Sequence, residues 1–114
     1  MNKSAQTLAA KSLITLPEEY SLQQNYPNPF NPETVIEYHL PQASDVSISI
    51  YNIRGQLVRT LVNGYKEAGI HHAIWNSTDA TGADIVSGIY LYRIKATGED
   101  GRKYSFTRRM VLLK

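Results

Sequence analysis

The 114-residue chain contains no cysteine, which excludes a disulfide framework, a thiol nucleophile and a thiolate metal site. Charge is nearly balanced, at +2, so there is no global attraction for a polyanion. No apolar run approaches the ~20 residues that a membrane-spanning helix needs. Residues 1–11 lack the apolar stretch of a signal peptide. Helical periodicity is missing as well: where apolar residues recur, they recur at every second position. With three histidines and a single tryptophan, the chain offers few parts from which to build an active site.

What is present begins with the octet at 25–32, Asn-Tyr-Pro-Asn-Pro-Phe-Asn-Pro. Pro27, Pro29 and Pro32 each lack an N–H and fix φ near −65°. The residue before each proline is pushed toward extended geometry too. The octet therefore reads as a stiff, extended ribbon. Before it, residues 1–24 read as a flexible linker, polar apart from Leu13, Ile14 and Leu16.

After the ribbon the pattern is that of strands. Val35, Glu37 and His39 face one way, and Ile36, Tyr38 and Leu40 the other. Pro41 ends this strand. In 45–51, Val46, Ile48 and Ile50 point inward. Asn52-Ile53-Arg54-Gly55 reads as a type I turn closed by a left-handed glycine, with a return strand over 56–62. The spacing predicts a loop over 63–69, a strand over 70–75 with Trp75 buried beneath it, and a polar connection over 76–87. Residues 89–96 are apolar on both faces, which predicts a central strand. A glycine turn at 98–101 leads to 102–114, one long strand or two divided near Arg108. These elements predict an all-β, Ig-like antiparallel β-sandwich of about seven strands, occupying 25–114.

Candidate chemistry is thin. His71 and His72 are adjacent on a strand and so point to opposite faces. The acidic pairs Glu18-Glu19 and Glu99-Asp100 sit in linker and turn, without the apolar surroundings that raise a carboxyl pKa. Asp79, Thr81 and Asp84 resemble half a calcium loop, but two carboxylates and a threonine fall short of six or more oxygens. The reading is therefore no enzyme, no metal and no cofactor. The C-terminal region is basic: Arg93, Lys95, Arg102, Lys103, Arg108, Arg109 and Lys114 face only Glu99 and Asp100. Charged residues on a terminal strand protect it from edge-to-edge aggregation. A nucleic-acid groove would need exposed aromatics interleaved with them, so no nucleic acid is expected; an anionic protein or glycolipid fits better.

Several motifs, in order, resemble the type A C-terminal sorting domain of the type IX secretion system. They are the octet with Glu-Thr-Val-Ile-Glu-Tyr-His-Leu-Pro at 33–41, the segment 50–58 around Gly55, Ala68-Gly69-Ile70-His71 with Trp75, and the segment 87–93 opening on Ser87-Gly88. The last is the basic-then-apolar run Arg108, Arg109, Met110, Val111, Leu112, Leu113 and Lys114. Asn28, Pro29, Phe30, Asn31, Pro32, Gly55, Trp75 and Gly88 match the structural motif, and 108–114 the recognition element. The resemblance implies that an N-terminal cargo domain precedes this one in a longer protein. It further implies partners in the outer-membrane translocon and sortase, and a destination at the surface of a Gram-negative bacterium. The family usually shows Asp-Gly after the tryptophan, where this chain has Asn76-Ser77. Much of the middle is shared with the Ig-like domain of the flagellar hook-capping protein, which implies a structural scaffold instead. A carbohydrate-binding or adhesive sandwich is the third reading; it needs an exposed platform from Trp75 and a few tyrosines.

Overall fold

The computed structural model describes residues 16–114; the N-terminal part of the expected linker lies outside the described residues. Seven strands follow in order: β1 (Ser21–Leu22), β2 (Thr34–Leu40), β3 (Ser44–Asn52), β4 (Leu57–Lys66), β5 (Gly69–Trp75), β6 (Gly88–Gly98) and β7 (Lys103–Leu112). They form a three-stranded sheet, β1-β2-β5, and a four-stranded sheet, β4-β3-β6-β7. All strand pairings are antiparallel.

The alternation that marks each strand also builds the core. Ile36, Tyr38 and Leu40 of β2 face Val46, Ile48 and Ile50 of β3, with Tyr92 and Ile94 of β6 and Met110 and Leu112 of β7 beside them; all are buried. β6 lies between β3 and β7, as a central strand should. The Asn52–Gly55 turn forms as read: the Gly55 N–H donates to the Asn52 carbonyl at 2.9 Å, and Gly55 sits at φ 81°.

Three expectations are corrected. First, β1 belongs to the fold although it falls in the expected linker: Leu22 is buried, and Ser21 and Leu22 pair with His39 and Tyr38. Second, residues 63–66 are strand, not loop, because β3 offers a ladder along its whole length; Val46 pairs with Gly64 and Ser44 with Lys66. Third, the ribbon is bent, not extended. Its ends, Tyr26 and Val35, exchange both backbone hydrogen bonds at 2.9 Å, which folds the intervening residues into a closed loop. The last strand is single and unbroken at Arg108.

Candidate functional site

The ribbon holds its own shape. Asn25, buried, donates through Nδ2 to the Pro27 carbonyl at 3.1 Å and to the Thr34 hydroxyl at 2.9 Å. Thr34 in turn donates to the same Pro27 carbonyl at 2.9 Å. At the tip, Phe30 inserts into the core. Its ring lies 5.8 Å from Trp75, which meets Tyr90 edge-on at 5.7 Å. This aromatic run fastens the loop to both sheets.

The same tip clamps the C-terminal strand. The Phe30 N–H donates to the Val111 carbonyl, and the Leu113 N–H donates to the Phe30 carbonyl, both at 3.0 Å. The Val111 N–H donates to Asn28 Oδ1 at 2.9 Å. Further along, Gln24 Nε2 donates to the Arg109 carbonyl at 2.7 Å, and the Arg108 guanidinium to the Leu22 carbonyl. The Arg109 carbonyl, both backbone groups of Val111 and the Leu113 N–H are thus taken by the chain's own residues 24–30. The second half of this edge is therefore covered from within the chain.

Tyr92 is the interior node of this seam. Its hydroxyl donates to the Gln23 carbonyl at 2.7 Å and accepts the Asn25 N–H at 2.8 Å. Burial pushes its pKa up to about 12, so the hydroxyl stays protonated and keeps donating throughout the neutral range. Tyr92→Phe should cost about 1–3 kcal/mol, because it strands the buried Asn25 N–H and Gln23 carbonyl. Urea denaturation reads this as a lower midpoint at unchanged slope; an unchanged midpoint would mean that these two groups find other partners.

The recognition residues divide into two classes. Met110 and Leu112 are wholly buried, and Arg108 is half-buried, tied to Leu22 and resting over the Phe106 ring at 5.1 Å. Arg109, Leu113 and Lys114 are exposed and Val111 partly so. Strand parity puts Arg109 and Val111 on the outer face of the four-stranded sheet, opposite Leu91 and Ile89. Ile89, Leu91 and Val111 make an apolar patch there beside Arg109, while the rest of the face carries Ser47, Ser49, Arg93, Lys95, Ser105 and Thr107.

Of the structural-motif residues, Phe30 and Trp75 are core, Asn28 caps β7, and Gly88 opens β6 opposite Leu112. Pro29 and Asn31 flank the tip, and Pro32 supplies the carbonyl that the Ser77 hydroxyl meets. Gly55 serves its own turn. Ser77 accounts for the departure from Asp-Gly: it sits at φ 64°, a left-handed conformation that glycine adopts freely. Its bond to the Pro32 carbonyl compensates, and it ties the 76–87 connection to the ribbon.

Elsewhere, Asp79 works as a loop staple. Its Oδ1 accepts from the Thr81 hydroxyl at 2.6 Å, the Thr81 N–H at 2.9 Å and the Ala83 N–H at 3.0 Å. The Thr81 hydroxyl and these N–H groups hold its carboxyl below the usual carboxylate range. Among the described residues, no group of three His, Cys, Asp or Glu is placed to hold a metal ion. Trp75 is 1% exposed, so it supplies no sugar-stacking platform.

One cluster escaped the sequence reading. Glu37 accepts from His39 at 2.6 Å and approaches His72 at 3.2 Å on the outer face of the three-stranded sheet. The bond from His39, with a smaller one from His72, lowers the Glu37 pKa against a modest opposing burial effect. Glu37 and His39 on one face were legible; the pairing of Glu37 with His72 depends on a non-local register.

Comparisons with known proteins agree with this architecture. Dimeric latent PorU from Porphyromonas gingivalis superposes with a TM-score of 0.67 at 20% identity, over 81% of this chain and 9% of that one. FlgD from P. aeruginosa gives 0.57 at 22% identity, over 69% of this chain and 61% of FlgD. PorZ from Porphyromonas gingivalis, described as an essential bacterial surface component of the type-IX secretion system, gives 0.53 at 21%, over 82% of this chain and 12% of PorZ. The chain thus spans only part of PorU, of PorZ and of P. aeruginosa FlgD. No curated protein sequence matches it. The sequence profile of the FlgD Ig-like domain matches residues 31–100, more than half of the chain and all of β2 to β6. This protein belongs to the FlgD Ig-like domain family.

Proposed function

We propose that the domain is a non-catalytic sorting module, delivered with an N-terminal cargo through the type IX secretion system to the bacterial surface. One observation carries the reading: the separate sequence motifs meet around the C-terminal strand. Phe30 and Asn28 clamp β7 at Val111 and Leu113, Trp75 supports Phe30, and Ser87 accepts the Lys114 N–H at 2.9 Å. A receptor-read address needs a rigid presentation of a few side chains. Here those are Arg109, Val111, Leu113 and Lys114 beside Ile89 and Leu91, with translocon and sortase components as the partners.

Cleavage by the sortase would fall upstream of Tyr20. Leu22 is buried and residues 21–26 run along β2, so a protease reaching them would have to unpair the seam. The domain itself supplies no step of that reaction.

The FlgD family match favours a second reading, a hook-capping scaffold that stays within its parent protein. A charge reversal separates the two. Arg109→Glu with Lys114→Glu leaves the core intact, since exposed charges usually change stability by less than ~0.5 kcal/mol. Surface display of a fused reporter in a type IX-competent bacterium should fall at least tenfold, while the domain stays folded with its melting temperature shifted by no more than about 8 °C. Unchanged display would remove these side chains from the signal.

A further inference from the structure

The sandwich has four strand edges, and three are guarded. β1 is sewn to β7 through Leu22 and Arg108. β7 is covered by the ribbon in its second half and carries Lys103 in its first. β4 carries Arg59 and Lys66, and its Val58 carbonyl is taken by the Ala80 N–H at 3.1 Å. β5 differs. Its sequence, Gly-Ile-His-His-Ala-Ile-Trp, holds no Lys, Arg, Asp, Glu or Pro, the residues by which edges are usually blunted.

Register shows which groups β5 offers. Val35 exchanges hydrogen bonds with Tyr26, and the Glu37 carbonyl accepts the Gln23 N–H, so alternate residues of β2 turn their backbone toward the β1 side. Their partners on β5 are Ile74 for Val35, His72 for Glu37 and Ile70 for His39. These are the non-hydrogen-bonded pairs of the ladder, so Ile70, His72 and Ile74 direct N–H and C=O to the far edge. Among the described residues no strand pairs there. The side chains of Ile70 and Ile74 are 52% and 62% exposed.

We propose that β5 pairs antiparallel with β5 of a second copy of this chain, about a two-fold axis through His72. The outward pattern Ile70-His72-Ile74 reads the same in both directions. The axis therefore sets Ile70 of each copy against Ile74 of the other and joins His72 to His72 as a hydrogen-bonded pair. Six strands then form one continuous sheet. At the seam the two His72 side chains face each other, each 3.2 Å from the Glu37 carboxylate of its own copy, and β5 itself brings no carboxylate, ammonium or guanidinium group to it. A seven-residue edge offers less than the roughly 1,200 Å² of a standard interface, and dissociation is expected in the weak range, on the order of 10–100 µM.

Sedimentation equilibrium on the full 114-residue chain, across ~5–500 µM, tests this. A monomer–dimer equilibrium is expected, weakened at least tenfold by Ile70→Lys with Ile74→Lys. The register has its own test, because the chain has no cysteine. His72→Cys places two thiols across a hydrogen-bonded pair with Cα atoms ~5.5 Å apart, within disulfide range, and should oxidise to a covalent dimer. Ile70→Cys and Ile74→Cys should crosslink to each other when mixed, and far more slowly each with itself. A chain that stays monomeric to ~500 µM overturns the proposal. So does a dimer indifferent to the lysine pair, or one in which Ile74→Cys crosslinks to itself as fast as His72→Cys; either would place the contact elsewhere.

Discussion

Removal of residues 110–114 is expected to unfold the domain, not merely to silence a signal. Met110 and Leu112 are fully buried, and loss of a buried Met or Leu side chain costs about 2–5 kcal/mol each. The truncation also takes away Val111 and Leu113, whose backbone groups hold Phe30 and Asn28 in place. Together these losses match the ~5–15 kcal/mol by which a domain is normally stable. Far-UV circular dichroism should show no cooperative thermal transition for the truncated chain. A sharp transition near that of the full chain would mean that β7 is dispensable. It follows that a truncation failing to reach the cell surface says nothing about recognition, whereas reversal of exposed charges does.

Phe30→Ala carries the second-largest expected effect. The ring is 2% exposed and packed on Trp75, so its loss should cost about 3–5 kcal/mol. At roughly 4–8 °C per kcal/mol for a domain of this size, melting should fall by more than ~10 °C. Phe30→Leu, which keeps most of the volume, should cost less than about 1.5 kcal/mol. Hydrogen exchange adds a local readout. The Val111 and Leu113 amides, covered by Asn28 and Phe30, should exchange faster in Phe30→Ala even where β3 and β6 remain protected. Equal protection in both proteins would show that the clamp does not depend on the ring.

The strands with strict alternation were legible because burial on one face is a local signal: 46, 48 and 50 inward, then a turn closed by Gly55. The proline ribbon offers two aromatics, Tyr26 and Phe30, and only the folded chain decides that Phe30 is the buried one. What escaped was non-local. β1 has two residues and a single buried side chain, Leu22, amid polar neighbours, so no period announces it. The 63–66 tail of β4, with Asn63 and Gly64, has loop composition; only the length of β3 makes it strand. Arg108 looked like an exposed cation until register brought it to the Leu22 carbonyl. His72 met Glu37 through the same kind of long-range pairing, while adjacency to His71 was all that the sequence displayed.

The central claim is that this fold acts as an address. Its most direct test is the surface exposure of a reporter fused ahead of the full 114-residue chain, compared in a type IX-competent bacterium and in the same strain lacking the translocon. The account predicts a reporter on the surface only when the translocon is present, with the β-domain removed by a cut upstream of Tyr20. A stable, folded fusion that stays inside the cell in both strains would contradict it and leave the hook-capping scaffold as the reading of this domain.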